Sequence, residues 1–249
     1  VRRVMGVKNC PSHLILATVA VVALFWFLFL RKLISPHQCG SGWMGTDVGY
    51  IRSRLDIAAM GVSMRTLCAG RVWEPHVARA ISDHLYGQGR AVDVGAFVGY
   101  HTIRLAKNAA PFKVYAFEGR AGPDLNDNLH RNNAKNVKLV EDTIDVNWKL
   151  DPMLEQDLLS DENGPVALVK IDCESCELHF LKGAQSVLKK WHPVLVIEIQ
   201  DDESRRKARV GGQQIIKPSD TREDVMAFLR DGLDYTDVEP LKDDDGVPT

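Results

Sequence analysis

Arg90-Ala91-Val92-Asp93-Val94-Gly95-Ala96-Phe97-Val98-Gly99-Tyr100-His101-Thr102-Ile103 is the stretch whose reading decides the fold. It reads as a buried strand that runs into a glycine turn and then a helix. Such a turn directs backbone N–H groups and the Asp93 carboxylate toward a small polar ligand at the carboxyl end of the strand. Glu118 closes the next strand, Lys113 to Phe117. It lies about 20 residues past the turn, where an acid meets ribose hydroxyls. Together these residues predict a site for a nucleoside-containing cofactor.

Two cofactor classes compete for the turn. A dinucleotide fingerprint places a second glycine two residues after the first, so that the pyrophosphate can approach the backbone. Phe97 stands there, and the spacing is Gly95-x-x-x-Gly99. A cofactor without pyrophosphate needs no such approach, and S-adenosyl-L-methionine fits. Its amino-acid end would lie over the glycine turn, with Asp93 helping to hold the ammonium, and its ribose would meet Glu118.

Working outward, strands are expected at Ala91–Val94, Val114–Phe117, Val137–Val140, Val166–Ile171 and Val194–Ile199. Helices are expected at Pro75–Tyr86, Tyr100–Asn108, Pro123–Asn132, Glu177–Lys190 and Thr221–Leu229, with Tyr235–Val238 as an edge strand. Val- and Ile-rich strands alternating with amphipathic helices predict a doubly wound α/β domain with a parallel sheet covered on both faces. Ligands of such sheets bind beyond the carboxyl ends of the strands. Those ends carry Gly95–Gly99, Glu118, Glu141-Asp142-Thr143, Asp172–Glu174 and Glu198.

Before this domain, Leu14–Leu30 is an uncharged run interrupted only by Thr18. It is at the short end of the roughly 17–25 residues that a spanning helix needs. Arg31-Lys32 follows in place of a small-residue cleavage site, so an uncleaved signal-anchor is expected. The basic flanks lean slightly toward a cytoplasmic N-terminus and a lumenal domain, and a short span suits the endoplasmic reticulum or Golgi. The expected organisation is an N-terminal tail (1–13), the transmembrane signal-anchor (14–30), a stem and leading segment (31–69), the catalytic domain (70–240) and an acidic tail (241–249). The net charge of −2 carries no electrostatic footprint for nucleic acid. Of the five cysteines, Cys10 sits beside the anchor, and Cys39 and Cys68 can pair if the domain is lumenal. Cys173 and Cys176 form a C-x-x-C with no second pair to complete a zinc site, and packing is the expected role.

A second motif is Lys170-Ile171-Asp172-Cys173-Glu174-Ser175-Cys176-Glu177, followed by Leu181-Lys182-Gly183-Ala184. Adding Asp93 to Tyr100, Val114 to Glu118, Asn128, Asn133 and Val194 to Glu198, the chain resembles the FkbM-type S-adenosylmethionine-dependent methyltransferases. The resemblance covers about Gly70 to Gln200, with Val225 to Tyr235 matching the family's closing helix and strand. Trp73-Glu74-Pro75 resembles the family's W-E-P, which would help close the cofactor site. Gly119 and Ser175 depart from it, standing where the family has proline and glycine. The resemblance implies a Rossmann-like class I methyltransferase sheet. It assigns cofactor binding to Asp93, Gly95, Ala96, Phe97, Gly99, Tyr100, Glu118 and Asp142, and catalysis to Asp172 and Glu174.

An alcohol acceptor needs a base or a metal ion because of its high pKa. In one arrangement Asp172 and Glu174 divide the work of general base and positioning group. In the other, Asp172 and Glu198 bind magnesium or manganese, with Glu174 as base. His101 is expected on a helix face, and Glu177 is as readily a first-turn charge as a catalytic group. The expected function is a membrane-anchored O-methyltransferase acting on a glycan hydroxyl. A nitrogen or lipid-associated acceptor, or a non-catalytic binding module on the same fold, are the rivals.

Overall fold

Strands β1 (Met44–Thr46) and β2 (Gly49–Ile51) pair antiparallel and lead to helix α1 (Val62–Cys68). Then come α2 (Pro75–Leu85), β3 (Arg90–Val94), α3 (Tyr100–Ala109), β4 (Val114–Phe117), α4 (Pro123–Arg131) and β5 (Val137–Val140). The second half holds α5 (Pro152–Leu159), β6 (Val166–Ile171), α6 (Glu177–Gly183), α7 (Gln185–Trp191), β7 (Val194–Ile197) and α8 (Arg222–Ala227). This computed structural model describes residues 42–54, 62–119, 122–199, 209–210, 213–214 and 221–241, all within the unit Cys39–Thr249. Leu14–Leu30, Cys10, Cys39 and the tail beyond Leu241 lie outside the described residues. Among the described residues no helix is long and apolar enough to cross a membrane.

Five strands form one parallel sheet in the order β5-β4-β3-β6-β7. Alternation along the strands shows why helices cover both faces. Val92 and Val94 of β3, with Val169 and Ile171 of β6, join the cluster built from α5, α6, α7 and α8. Ala91 and Leu168, one residue out of phase, join the cluster built from α2 and α3. Because side chains point to opposite faces at every second residue, strands buried on both sides read as continuous apolar runs. This is a Rossmann-like sheet. Its order reverses between β3 and β6, so the chain leaves these two strands in opposite directions and a crevice forms beyond their carboxyl ends.

Local chemistry sets several helix starts. Asp151 accepts the backbone N–H groups of Met153 and Leu154, both at 3.0 Å, and Pro152 occupies the first turn of α5. Thr221 and Asp224 form a reciprocal capping box at α8. Arg90 is fully buried at the start of β3, where its guanidinium donates to the carbonyls of Asp157, Leu158 and Ser160 at the end of α5. A cation there satisfies carbonyls that a helix leaves without partners.

Four elements differ from the sequence reading. Glu177–Lys190 is two helices broken at Ala184, beside Gly183, whose bare backbone receives the Trp148 ring. Helix α5 was not expected. Tyr235–Val238 forms no strand: Asp234 turns at φ 60°, and Tyr235 anchors the segment by donating its hydroxyl to the Pro193 carbonyl at 2.7 Å. The leading segment contributes Met44, Val48, Ile51, Met64 and Leu67 to the core beside α3 and α4. It is seated by Asn128 and Asn132, whose amides pair with the backbones of Arg52 and Tyr50 at 2.6–2.9 Å.

Candidate active site

The crevice between β3 and β6 opens into a cavity of about 520 Å³. One wall is the turn after β3, with Glu118 after β4 and Asp142 after β5. The facing wall is the Asp172–Cys176 loop after β6, with Glu198 after β7. Asp93 and Lys170 lie at the bottom, and α1 with Trp73-Glu74 closes a side.

On the first wall, Gly95 adopts φ 83°, and a Cβ there would meet the Asp172 carbonyl oxygen at 1.8 Å. The two turns are therefore in backbone contact, and only glycine permits it. Ala96 and Phe97 line the cavity; Phe97 is held at φ 50°, half-exposed, with its N–H donated to the Glu118 carboxylate at 2.7 Å. Asp142 accepts the Trp148 indole N–H at 2.7 Å. Trp148 in turn stacks on Phe180 and leans over Gly183, where a Cβ would come within 2.4 Å of its ring. The glycine of the Leu181–Ala184 motif thus seats the ring that holds Asp142.

Gly99 and Tyr100 play other parts. Gly99, at φ 86°, faces Leu125 of α4, which a Cβ would meet at 2.8 Å, and it does not line the cavity. Tyr100 lines the cavity but donates its hydroxyl to Asp47 at 2.7 Å, tying the leading segment to α3.

A chain of buried charge runs along the floor. Lys170 is completely buried; its Nζ lies 3.1 Å from Asp172 and 3.7 Å from Asp93. Burial would depress the lysine pKa, but the two carboxylates outweigh it and hold it above the ordinary value. Burial likewise opposes ionisation of Asp172, yet the Lys170 charge and a hydrogen bond with Glu198 keep its pKa low. Glu198 shows the reverse: its hydrogen bond to Asp172, then burial, push its pKa up to about 8. At neutral pH the pair therefore holds one proton, on Glu198, and Asp172 is the anion. Asp93 accepts the Thr102 hydroxyl at 2.6 Å through Oδ2, while its buried Oδ1 has no hydrogen-bond partner among the described residues.

His101 is not a surface residue of α3. It is buried against the cavity, with Nε2 2.9 Å from the Glu74 carboxylate, and burial lowers its pKa. Glu74 sits at φ 47°, which aims it inward from the residue before α2. Glu177 is also buried, where it accepts the Ser175 N–H at 2.8 Å and braces the loop.

Among the described residues no group of three or more His, Cys, Asp or Glu side chains could hold a metal ion. Lys170 lies between Asp93 and Asp172, so the donor set does not fit magnesium or manganese, and the positive charge there is the lysine's.

Cys173 and Cys176 are disulfide-bonded to each other, which corrects the packing role expected for them. Glu174 and Ser175 between them adopt φ 56° and 87°, and this tight turn brings the two Cα atoms to 5.5 Å, within bridging range. Cys68 is disulfide-bonded as well.

Residues 149–235, which include β6, the Asp172 loop and β7, match the family model of the methyltransferase FkbM domain. The match covers less than half of the chain. Among solved structures it is similar to the O-methyltransferase from Bacillus cereus in complex with SAH, at 18% identity over 47% of this chain and 53% of that one, TM-score 0.34. It is similar to cofactor-bound Rv0187 from MTB, at 21% identity over 64% of this chain and 66% of that one, TM-score 0.37. A third is the 23S rRNA methyltransferase ErmE, at 19% identity over 55% of this chain and 49% of that one, TM-score 0.30. The chain thus spans about half to two thirds of the length of these structures. No curated protein matches it.

Lys170 and Trp148 are residues of the site to which sequence reasoning gave no role, and His101 was expected only on a helix face, whereas Glu74 lines the cavity beside Trp73, in keeping with the closing role expected of it. The lysine had a signal: a cation inside the apolar run Val166–Ile171 must find a buried partner. Trp148 had none, because the ring contacts that seat it, with Phe117, Phe180 and Gly183, are made with residues distant in sequence.

Proposed function

We propose that this chain transfers a methyl group from S-adenosyl-L-methionine to a hydroxyl of a glycan, from a lumenal domain tethered to the membrane by Leu14–Leu30. The observation that carries the reading is one cavity in which a glycine turn packs on the backbone of a lysine-held, ionised aspartate. The residues present fit the cofactor. Asp93 Oδ1, which accepts no hydrogen bond among the described residues and lies 3.7 Å from Lys170 Nζ, suits its ammonium; the turn at Gly95 suits its amino-acid end, Glu118 its ribose hydroxyls, and Asp142 the amino group of adenine. When bound, the cofactor supplies a methyl group on a sulfonium, a leaving group that needs no acid.

The protein's part is then alignment and proton removal. Asp172 takes the proton of the acceptor hydroxyl as that oxygen takes the methyl group. Lys170 keeps Asp172 ionised beforehand, and the Glu198 carboxyl orients it through their hydrogen bond. Glu174, exposed at the cavity rim, accepts a hydrogen bond from the acceptor. A rim of carboxylates suits a polyhydroxylated ligand, because hydroxyls donate to them. The disulfide bonds of Cys68 and of Cys173–Cys176 support an oxidising compartment.

Calorimetry of the full chain with S-adenosylhomocysteine tests the cofactor; absence of binding sinks the reading. Asp172→Asn is expected to lower methyl transfer by about 10²–10⁴-fold, the range for loss of a general base, with cofactor affinity retained. Labelled methyl transfer to glycan, lipid and protein fractions tests the acceptor, and label in the latter two alone overturns the glycan assignment.

A further inference from the structure

We propose that the Cys173–Cys176 disulfide is a thiol-exchange site in the wall of the cavity, and that its closure holds the Asp172–Glu177 loop in its active shape. Three observations meet there. First, Glu174 and Ser175 both hold positive φ without being glycine, at 56° and 87°, and the bridge closes directly over them. The resembled motif has glycine at Ser175, which needs no cross-link to stay there. Second, the two cysteines are unequally placed: Cys173 is half-buried and Cys176 is buried, and both line the cavity, so Cys173 is the residue that a thiol entering from solvent reaches first. Third, the loop rests on the cofactor turn. A Cβ on Gly95 would lie 1.8 Å from the Asp172 oxygen and 3.1 Å from the Cys173 Cα. A shift of the loop is therefore felt at Gly95.

The reductant is a small thiol. Its thiolate attacks the Cys173 sulfur, the S–S bond breaks, and Cys176 leaves as a thiolate that takes a proton from water. A second thiol attacks the sulfur now attached to Cys173, releasing Cys173 as a thiol and the reductant as its own disulfide. Two electrons pass from two thiols to the bridge. With the bridge open, Glu174 and Ser175 relax toward ordinary backbone, Glu174 leaves the rim and Asp172 loses its seat against Gly95. The linkage runs both ways, so a filled cofactor turn shields the bridge.

The exchange itself is tested on the folded full chain without reference to methyl transfer. The protein is held in graded glutathione buffers, alkylated, and cleaved with trypsin. The peptide Ile171–Lys182 holds both cysteines and no internal trypsin site. The expected result is native-state alkylation of this peptide, with glutathione adducts on Cys173 and not on Cys176. A bridge that opens only when the protein unfolds overturns the proposal, as does an adduct on Cys176 alone.

The functional half rests on the methyltransferase reading. Reduction, or Cys173→Ala with Cys176→Ala, is expected to weaken S-adenosylhomocysteine binding about tenfold, within the usual range for coupled sites. Adding Ser175→Gly to the double variant is expected to restore binding. Equal affinity in the oxidised and reduced protein overturns the coupling even if the double variant fails to fold. If the oxidised protein binds no cofactor while Ile171–Lys182 still exchanges, the methyltransferase reading falls and the exchange site stands.

Discussion

The turn after β3 and the turn after β6 face each other across one cavity and hold left-handed backbone by different means. The first uses glycine, with Gly95 at φ 83° and Gly99 at φ 86° around Phe97 at φ 50°. The second has no glycine and spans Glu174 and Ser175 with a disulfide. A left-handed L-residue costs roughly 1–2 kcal/mol, which a covalent bridge can offset. No bridge makes room for a Cβ. Gly95 meets a neighbouring backbone and has no substitute, whereas Ser175 satisfies a torsional demand and has two.

Gly95→Ala attacks the contact between the turns and is expected to have the largest effect. The clash is with backbone, so the loss should reach about 4 kcal/mol, at the severe end for a single substitution. Urea unfolding measures it, and a loss under about 1 kcal/mol would contradict the backbone contact. Lys170→Met removes the cation that serves Asp93 below one turn and Asp172 in the other. Breaking a buried pair costs about 3–5 kcal/mol, and the loss should shrink in acid as the stranded carboxylates take up protons.

The pH dependence separates Glu198 from Asp172. Glu198 holds its proton up to about pH 8 in the folded protein, against an ordinary value of 4.5. Between these values the folded state binds the extra proton, so this contribution is full below pH 4.5 and is lost as pH rises through about 8. Asp172 has a lowered pKa, so its contribution is present above its ordinary value and is lost in acid. Thermal unfolding from pH 5 to 9 should therefore show a decline that Glu198→Gln abolishes. The smallest effect is expected from Ser175→Gly in the oxidised protein. Relief of the torsion is opposed by the greater freedom of glycine in the unfolded chain, for a net change below about 1 kcal/mol.

The strands were legible because each is a run of apolar residues long enough to cross the sheet, and β4, β5 and β6 begin and end where the sequence reading places them. Helix α5 carries a short local signal, Asp151 before Pro152, which caps and starts it. Tyr235–Val238 has the composition of a strand, but Tyr235 is occupied by its bond to Pro193, a contact no local pattern reveals. In the site, Asp93, Gly95, Glu118, Asp142, Asp172 and Glu174 could be named from their positions at strand ends. The placement of Gly99 against α4 could not, because its spacing is the same whether it meets a cofactor or Leu125.

Local sequence determined the parallel sheet, the turn at its centre and the carboxylates at its open end, since burial and backbone torsion are written in residue type and spacing. Tertiary structure alone decided that Lys170 would hold Asp172 ionised, that Glu198 would keep a proton, and that Cys173 would bond to Cys176. Each depends on distances of a few ångströms between groups, and at that range desolvation and charge change what a side chain is.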